Sequence, residues 1–84
     1  MVGTVEELSV GRESAWVRIR EEGAYEVTKL FVWSDVVFDY TPADRVRHSM
    51  WVSLLRDALA RGLTVSVTES DDTALHIERV SLRG

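Results

Sequence analysis

A single long helix, predicted between Thr41 and Gly62, constrains the fold of this chain more than any other segment. Thr41 is suited to the N-cap, Pro42 to the first helical position, and Asp44 to the positive end of the helix dipole. At the other end, Arg61 lies in the last turn, and Gly62 can adopt the left-handed conformation that closes a helix. Because the start and stop signals agree, the other elements must pack around one helix.

The apolar surface of this helix is wider than contact with one sheet requires. Apolar residues cover about two thirds of its circumference, whereas a helix lying on one sheet needs a stripe of little more than about 100°. We therefore expect a second apolar face that contacts another subunit, formed by Trp51, Val52, Leu55, Leu59 and His48. His48 is then a partly exposed or interface histidine, with a pH-sensitive contact as the alternative. The alternative for the whole face is that a long loop covers it.

Five β-strands are predicted around the helix. Three precede it, at residues 2–10, 13–20 and 25–33, and two follow it, at residues 63–68 and 74–82. The segment 34–40 is ambiguous between an extension of the third strand and an irregular crossing, and its Val36, Val37 and Phe38 are candidates to cover the helix. The predicted element order is therefore β-β-β-α-β-β.

Alternation along the strands predicts which side chains face the core. In the second strand, Ala15, Val17 and Ile19 face inward, and Trp16, Arg18 and Arg20 face outward. In the third strand, the odd positions, which are Tyr25, Val27, Lys29, Phe31 and Trp33, make a better core than the even ones, with Lys29 as an exception. In the last strand, the apolar pattern changes phase between Ile77 and Val80, which predicts a bulge or a bend near Glu78 and Arg79.

The composition indicates one globular domain that covers residues 1–84. Hydrophobic residues make up 45% of the chain, which is too many for a disordered segment. The absence of cysteine excludes disulfides, thiol chemistry and cysteine-ligated metals. Neither a signal peptide nor a membrane-spanning stretch is visible, so we expect a cytoplasmic protein without a membrane partner.

The sequence contains no motif that indicates catalysis, and we expect neither enzymatic activity nor a cofactor. Paired acids occur at Glu6–Glu7, Glu21–Glu22 and Asp71–Asp72. The first pair is predicted on a strand, where neighbours point to opposite faces, and the other two in solvated turns. His76 and Glu78 lie two residues apart on the predicted last strand, and we expect a solvated pair because a metal site would need a further donor.

The element order, with a helix between the third and fourth of five strands, resembles the OB-fold, a small and partly open barrel. This resemblance covers the whole chain but rests on topology and not on a sequence motif. The long helix with a second apolar face is similar to the pentameric cell-binding B subunits of cholera-toxin-like bacterial toxins. That resemblance implies a ring whose central pore is lined by a polar strip of the helix, here Arg45, Ser49, Ser53 and Arg56. The chain lacks the signal sequence and the cysteine pair of those toxins, so no sugar-binding residue is transferred.

Two functions are expected from these patterns. The first is a non-enzymatic, homo-oligomeric binding or scaffolding protein assembled through helix 42–61. The alternative is an OB module that binds single-stranded nucleic acid or an oligosaccharide on Trp16, Arg18 and Arg20. A net charge of −4 counts against nucleic acid. The strand aromatics would otherwise be core residues or subunit contacts.

Overall fold

The computed structural model describes residues 1–34 and 40–83, and its element order is the predicted one. The strands are β1 (Val2–Val10), β2 (Ala15–Glu21), β3 (Val27–Trp33), β4 (Thr64–Glu69) and β5 (Ile77–Arg83), and the helix is α1 (Pro42–Arg61). Strand β5 begins later than predicted because Leu75 has a positive φ of 62°, which interrupts extended backbone. The predictions for Val36, Val37 and Phe38 lie outside the described residues.

Both ends of α1 are capped at the predicted residues. The Asp44 N–H donates to Thr41 Oγ1 at 3.1 Å, and the Thr41 N–H donates to Asp44 Oδ2 at 2.9 Å, which is a capping box. At the other end, Gly62 has a φ of 65°, and its N–H donates to the Ala58 carbonyl. These caps set the length of the helix and therefore the positions at which its side chains meet the sheet.

The five strands form one antiparallel sheet in the order β3-β2-β1-β4-β5. The sheet is not closed within the described residues. Its edge strands approach each other at one isolated parallel bridge between Phe31 and His76, where the Phe31 N–H donates to the Leu75 carbonyl at 2.7 Å. The fold is therefore a mostly β structure with one helix.

The core lies between the helix and one face of the sheet. Leu55 and Ala58 of α1 belong to one core cluster with inward side chains of all five strands, and burying a side chain such as Leu55 contributes roughly 1.5–3 kcal/mol. The buried apolar residues of the strands are Val5, Ala15, Val17, Ile19, Leu30, Val32, Val65, Val67, Ile77 and Val80. The inward face predicted for β2 is therefore confirmed.

The prediction for the third strand is wrong over most of its length, because the even positions Leu30 and Val32 face the core, and of the odd positions Trp33 alone is both predicted there and packed against it. Leu30 and Val32 are almost fully buried, whereas Lys29 is exposed and Tyr25 is 97% exposed. Tyr25 lies in the turn before β3, so it contributes nothing to either face of the strand. Lys29, which was an exception in the predicted core, is an ordinary outward residue.

Register shifts in the described strands redirect several side chains. Relative to β2, strand β1 has one extra residue at Glu6, and β3 has one at Val32. Relative to β4, strand β5 has one extra residue at Glu78, which confirms the bulge predicted near Glu78 and Arg79. A bulge changes the alternation of side chains, so the residues beside it turn to a different face of the sheet.

Candidate ligand-binding surfaces

Strands β2 and β3 present two aromatic rings and two cations on the outer face of the sheet. Trp16 pairs with Phe31, and Arg18 pairs with Lys29, so the four side chains form one patch. Lys29 Nζ lies 4.8 Å from the Trp16 ring centre and 5.2 Å from the Phe31 ring centre, and Arg18 Cζ lies 5.1 Å from the Trp16 ring centre. These are cation–π distances. We call Trp16, Arg18, Lys29 and Phe31 the aromatic–basic face.

Two carboxylates of β1 border this face. Glu7 Oε1 lies 3.4 Å from Arg18 Nη1, and Glu6 Oε1 accepts a hydrogen bond from Arg20 Nε at 2.7 Å. Both carboxylates reach this side because Glu6 is the extra residue of the β1 bulge. The expectation that Glu6 and Glu7 point to opposite faces is therefore wrong. The arginines predicted to bind a ligand, Arg18 and Arg20, are each partly neutralised by a carboxylate.

The helix residues assigned to a subunit contact lie mostly on the side that faces the sheet of the same chain. Leu55 is fully buried and His48 is 8% exposed, so the assignment of these two residues to a second subunit is wrong. Trp51 and Val52 pack against the core and are half-buried, while Leu59 is 42% exposed. The sheet of the same chain therefore covers much of the apolar arc of the helix that was predicted to contact a second subunit.

A different side of the helix remains exposed. Val46 and Met50 are 62% and 63% exposed, and because they are four residues apart, they share one side of α1. The polar strip formed by Arg45, Ser49, Ser53 and Arg56 is also exposed.

His48 lies inside a cluster of aromatic rings. Trp33 stacks on it with ring centres 5.6 Å apart and planes 25° apart, Tyr40 meets it edge-on at 4.7 Å, and Trp51 lies at 5.6 Å. Trp33 reaches the helix because the bulge at Val32 turns it to the core side of the sheet. The expectation of a partly exposed or interface histidine is therefore wrong.

Burial also changes the ionisation of His48. Its pKa lies below the ordinary value of 6.5, chiefly because the charged ring would lose its water. The Asp44 carboxylate opposes this shift, whereas Arg47 and Arg45 lower the pKa further. Burial therefore favours the uncharged form of the His48 ring.

A serine and a histidine meet between the edge strands. Ser34 Oγ lies 2.7 Å from His76 Nε2, and His76 Nδ1 lies 2.9 Å from the Ala74 carbonyl oxygen. Because a carbonyl only accepts, Nδ1 carries the proton, and Ser34 donates to Nε2. This orientation is that of an activated serine, but Ser34 is only 3% exposed. The bond joins the end of β3 to the start of β5.

The sequence did not reveal this pair because 42 residues separate its members. His76 is 8% exposed and precedes β5, so the expected solvated pair with Glu78 is wrong. The stacking of His76 on Phe31, with ring centres 5.3 Å apart, also depends on the long-range parallel bridge. No local sequence pattern predicts either contact.

Two clefts open beside these rings. The larger, of about 490 Å³, lies between the helix and the β4–β5 turn, and its charged lining residues are Asp44, Arg47, Asp72 and Glu78. The smaller, of about 300 Å³, is lined by Arg12, Trp33, Ser34, Tyr40, Arg45, His48 and Ser49. Tyr40 and His48 line both clefts. The larger cleft is mainly acidic, whereas the described lining of the smaller one contains arginine and no carboxylate.

Within residues 1–34 and 40–83, no cluster of three or more histidine or acidic side chains is placed to hold a metal ion. No helix in this part of the chain combines the length and hydrophobicity needed to cross a bilayer. No family model matches the sequence, and neither a curated protein nor a solved structure matches it significantly.

Proposed function

We propose that this chain is an OB-like module, a partly open barrel that binds an oligosaccharide on its aromatic–basic face. The barrel is supported by the pairing of β1 with both β2 and β4 and by the parallel bridge between the two edge strands. The position of α1 between β3 and β4 supports the same fold. In OB-folds the second and third strands form the usual ligand surface, and those strands carry the aromatic–basic face here.

The packing of Lys29 and Arg18 against the Trp16 ring is the observation that carries this proposal. Long cationic side chains held against a ring lose less rotamer freedom when a ligand arrives, so the face is partly organised before binding. Trp16 and Phe31 are half-buried, so part of each side chain remains accessible to solvent. An aromatic ring can stack on the apolar side of a sugar, while the cations donate hydrogen bonds to its oxygens.

The charge of this surface favours a sugar over a nucleic acid. Arg18 and Arg20 face the carboxylates of Glu7 and Glu6, which leaves Lys29 as the cation of this region outside the described ion pairs. Most non-specific affinity for nucleic acid comes from cations that neutralise phosphates. With a net charge of −4 on the chain, that contribution is small, whereas stacking on a sugar ring does not depend on it.

The proposed role is binding and not catalysis. The serine–histidine pair found in the described residues has a buried serine, and its hydrogen bond connects two strands. An attacking serine must reach the carbonyl of a substrate, which Ser34 does not do in this conformation.

A glycan array tests the proposal, because it presents neutral and acidic oligosaccharides together. We expect the parent protein to bind a defined subset, and Trp16→Ala to weaken that binding by about tenfold or more, since a central aromatic residue commonly carries over 1.4 kcal/mol of binding energy. Tyr25→Ala is the matched control, because Tyr25 is an exposed aromatic residue outside the face. It should bind as the parent does.

Two results would contradict the proposal. One is an array on which the parent protein binds no glycan above the level of Trp16→Ala. The other is tighter binding to a short oligothymidylate than to any glycan, with a steep loss of affinity as salt is added, which would show a single-stranded nucleic acid as the ligand.

The exposed side of the helix favours a second candidate, a homo-oligomer. Val46 and Met50 lie side by side and more than half exposed, and a second copy of the chain would remove both from water. A ring like that of the toxin B subunits would also place Arg45, Ser49, Ser53 and Arg56 around its pore. This assembly uses Val46 and Met50 and not the buried Leu55.

Light scattering on a sizing column, over a range of protein concentrations, tests this assembly. We expect a discrete oligomer whose mass falls to that of a single chain in Met50→Glu, because a charge at the contact opposes association. Ala60→Glu, also exposed on α1, is the control and should leave the mass unchanged. A parent protein that is monomeric at every concentration would exclude the oligomer.

A further inference from the structure

The smaller cleft lies where three parts of the chain meet. Arg12 comes from the turn between β1 and β2, Trp33 and Ser34 from the end of β3, and Arg45 and Ser49 from the first turns of α1. Its volume of about 300 Å³ is at the lower limit of small-molecule pockets. The cleft shares no described lining residue with the aromatic–basic face, so a ligand in it is independent of the proposed sugar.

The charges around the smaller cleft favour an anion. Arg12 and Arg45 both line it, and its described lining contains no aspartate or glutamate. None of the ion pairs between described residues uses either arginine. A guanidinium presents a planar fork of donors that matches the oxygens of a carboxylate or phosphate. The hydroxyl of Ser49 adds a further donor to the same lining, whereas the hydroxyl of Ser34 donates to His76.

The aromatic residues of this cleft favour a flat ligand. Trp33 and His48 are stacked with planes only 25° apart, and Tyr40 stands edge-on to His48 at 88°. Trp33 and His48 therefore form an aromatic wall of nearly parallel rings, with Tyr40 perpendicular to His48, and burial holds His48 in this wall. The Val32 bulge puts Trp33 in this wall, since Trp33 would otherwise lie on the outer face with Trp16 and Phe31.

We propose that the smaller cleft is a binding site for a small anion with a planar ring, whose charged group lies between Arg12 and Arg45 and whose ring packs against Trp33. A carboxylate and a phosphate monoester share this chemistry, because both offer oxygens to a guanidinium fork. The ring gives the ligand its affinity for the aromatic wall, and the charge sets its direction in the cleft.

Calorimetric titration with 2-naphthoate tests the site, and 2-naphthamide is the matched neutral probe. We expect 2-naphthoate to bind about tenfold or more tightly than the amide, because only the anion forms charge-assisted hydrogen bonds with the arginines. Arg12→Ala and Arg45→Ala should each weaken 2-naphthoate by about tenfold and leave the amide unchanged. Naphthyl phosphate shows whether a phosphate monoester replaces the carboxylate, and inorganic phosphate alone should bind weakly because it lacks a ring.

Arg56→Ala is the control for general charge, since Arg56 is exposed on the same helix but lines neither cleft. It should bind 2-naphthoate as the parent does. The proposal is wrong if the parent protein binds the acid and the amide equally or binds neither. It is also wrong if Arg56→Ala weakens binding as much as Arg45→Ala. Thermal unfolding of each variant should match the parent, because Arg12 and Arg45 are exposed and carry no core contact.

Discussion

His48 lies among the rings of Trp33, Tyr40 and Trp51, and its ionisation is therefore coupled to folding. In the unfolded chain the ring takes up a proton near its ordinary pKa of 6.5, whereas in the folded chain burial holds the pKa lower. Below about pH 6.5 the unfolded state consequently binds more protons than the folded state. The free energy of unfolding must then decrease as the pH falls through this range.

Denaturant unfolding of the parent and of His48→Phe, from about pH 7.5 to about pH 5.5, measures this coupling. We expect the parent to lose more stability than the variant, because phenylalanine keeps the aromatic packing but takes up no proton. Titration of the other groups affects both proteins equally, so the difference reports on His48. Parallel pH profiles would show that His48 ionises equally in both states.

At the scale of elements, the capping box at the start of α1 connects local sequence to the site. Thr41 and Asp44 exchange two hydrogen bonds, and the Thr41 N–H is the main reason why the Asp44 carboxyl has a lowered pKa. The first turns of the helix also carry Arg45 and His48, which line the smaller cleft. Fraying of this end would therefore disturb the cleft as well as the helix.

Replacing Thr41 with alanine removes one of the two hydrogen bonds of the capping box, the one that Thr41 Oγ1 accepts from the Asp44 N–H. We expect a loss of about 1 kcal/mol in the free energy of unfolding, the typical cost of losing an N-cap hydroxyl. Urea unfolding measures it, and Ser53→Ala is the control, because Ser53 is exposed in the middle of the same helix, where alanine is the better helix former. If both variants unfold at the same urea concentration, the Thr41 hydroxyl contributes nothing to stability.

The elements could be predicted from the sequence, because their signals are local. The helix bounds, the element order along the chain and the inward face of β2 all rest on caps, turns and alternation over a few residues. The bulge at Glu78 was also visible, since the apolar residues on either side of it change phase. The bulge at Glu6 leaves a similar change of phase between Val5 and Leu8, which the sequence analysis did not use. The bulge at Val32 lies inside a continuous apolar run and has no such signal.

The bulges at Glu6 and Val32 explain most of what the sequence analysis missed at the candidate sites. The bulge at Glu6 brings a second carboxylate beside the aromatic–basic face, and the bulge at Val32 sends Trp33 to the helix. The prediction that Leu55 and His48 contact a second subunit is wrong for a different reason. A helical wheel shows how wide an apolar surface is, but only the packed structure shows which part of it the sheet covers.

At the scale of the whole molecule, the sheet and helix separate two surfaces of different chemistry. The aromatic–basic face occupies the outer side of β2 and β3, and the smaller cleft lies where the helix meets the strand ends. The three tryptophans are distributed accordingly, with Trp16 on the face, Trp33 in the smaller cleft and Trp51 in the larger one. Each indole N–H thus reports on a different surface.

The most direct test of oligosaccharide binding on the aromatic–basic face is therefore an NMR titration that follows the three indole N–H signals. The ligand is the glycan that binds most strongly on the array. We predict that the Trp16 signal shifts and saturates with the glycan, while the Trp33 and Trp51 signals stay in place. A saturating titration that leaves Trp16 unmoved, or shifts Trp33 or Trp51 instead, would contradict the proposed binding surface.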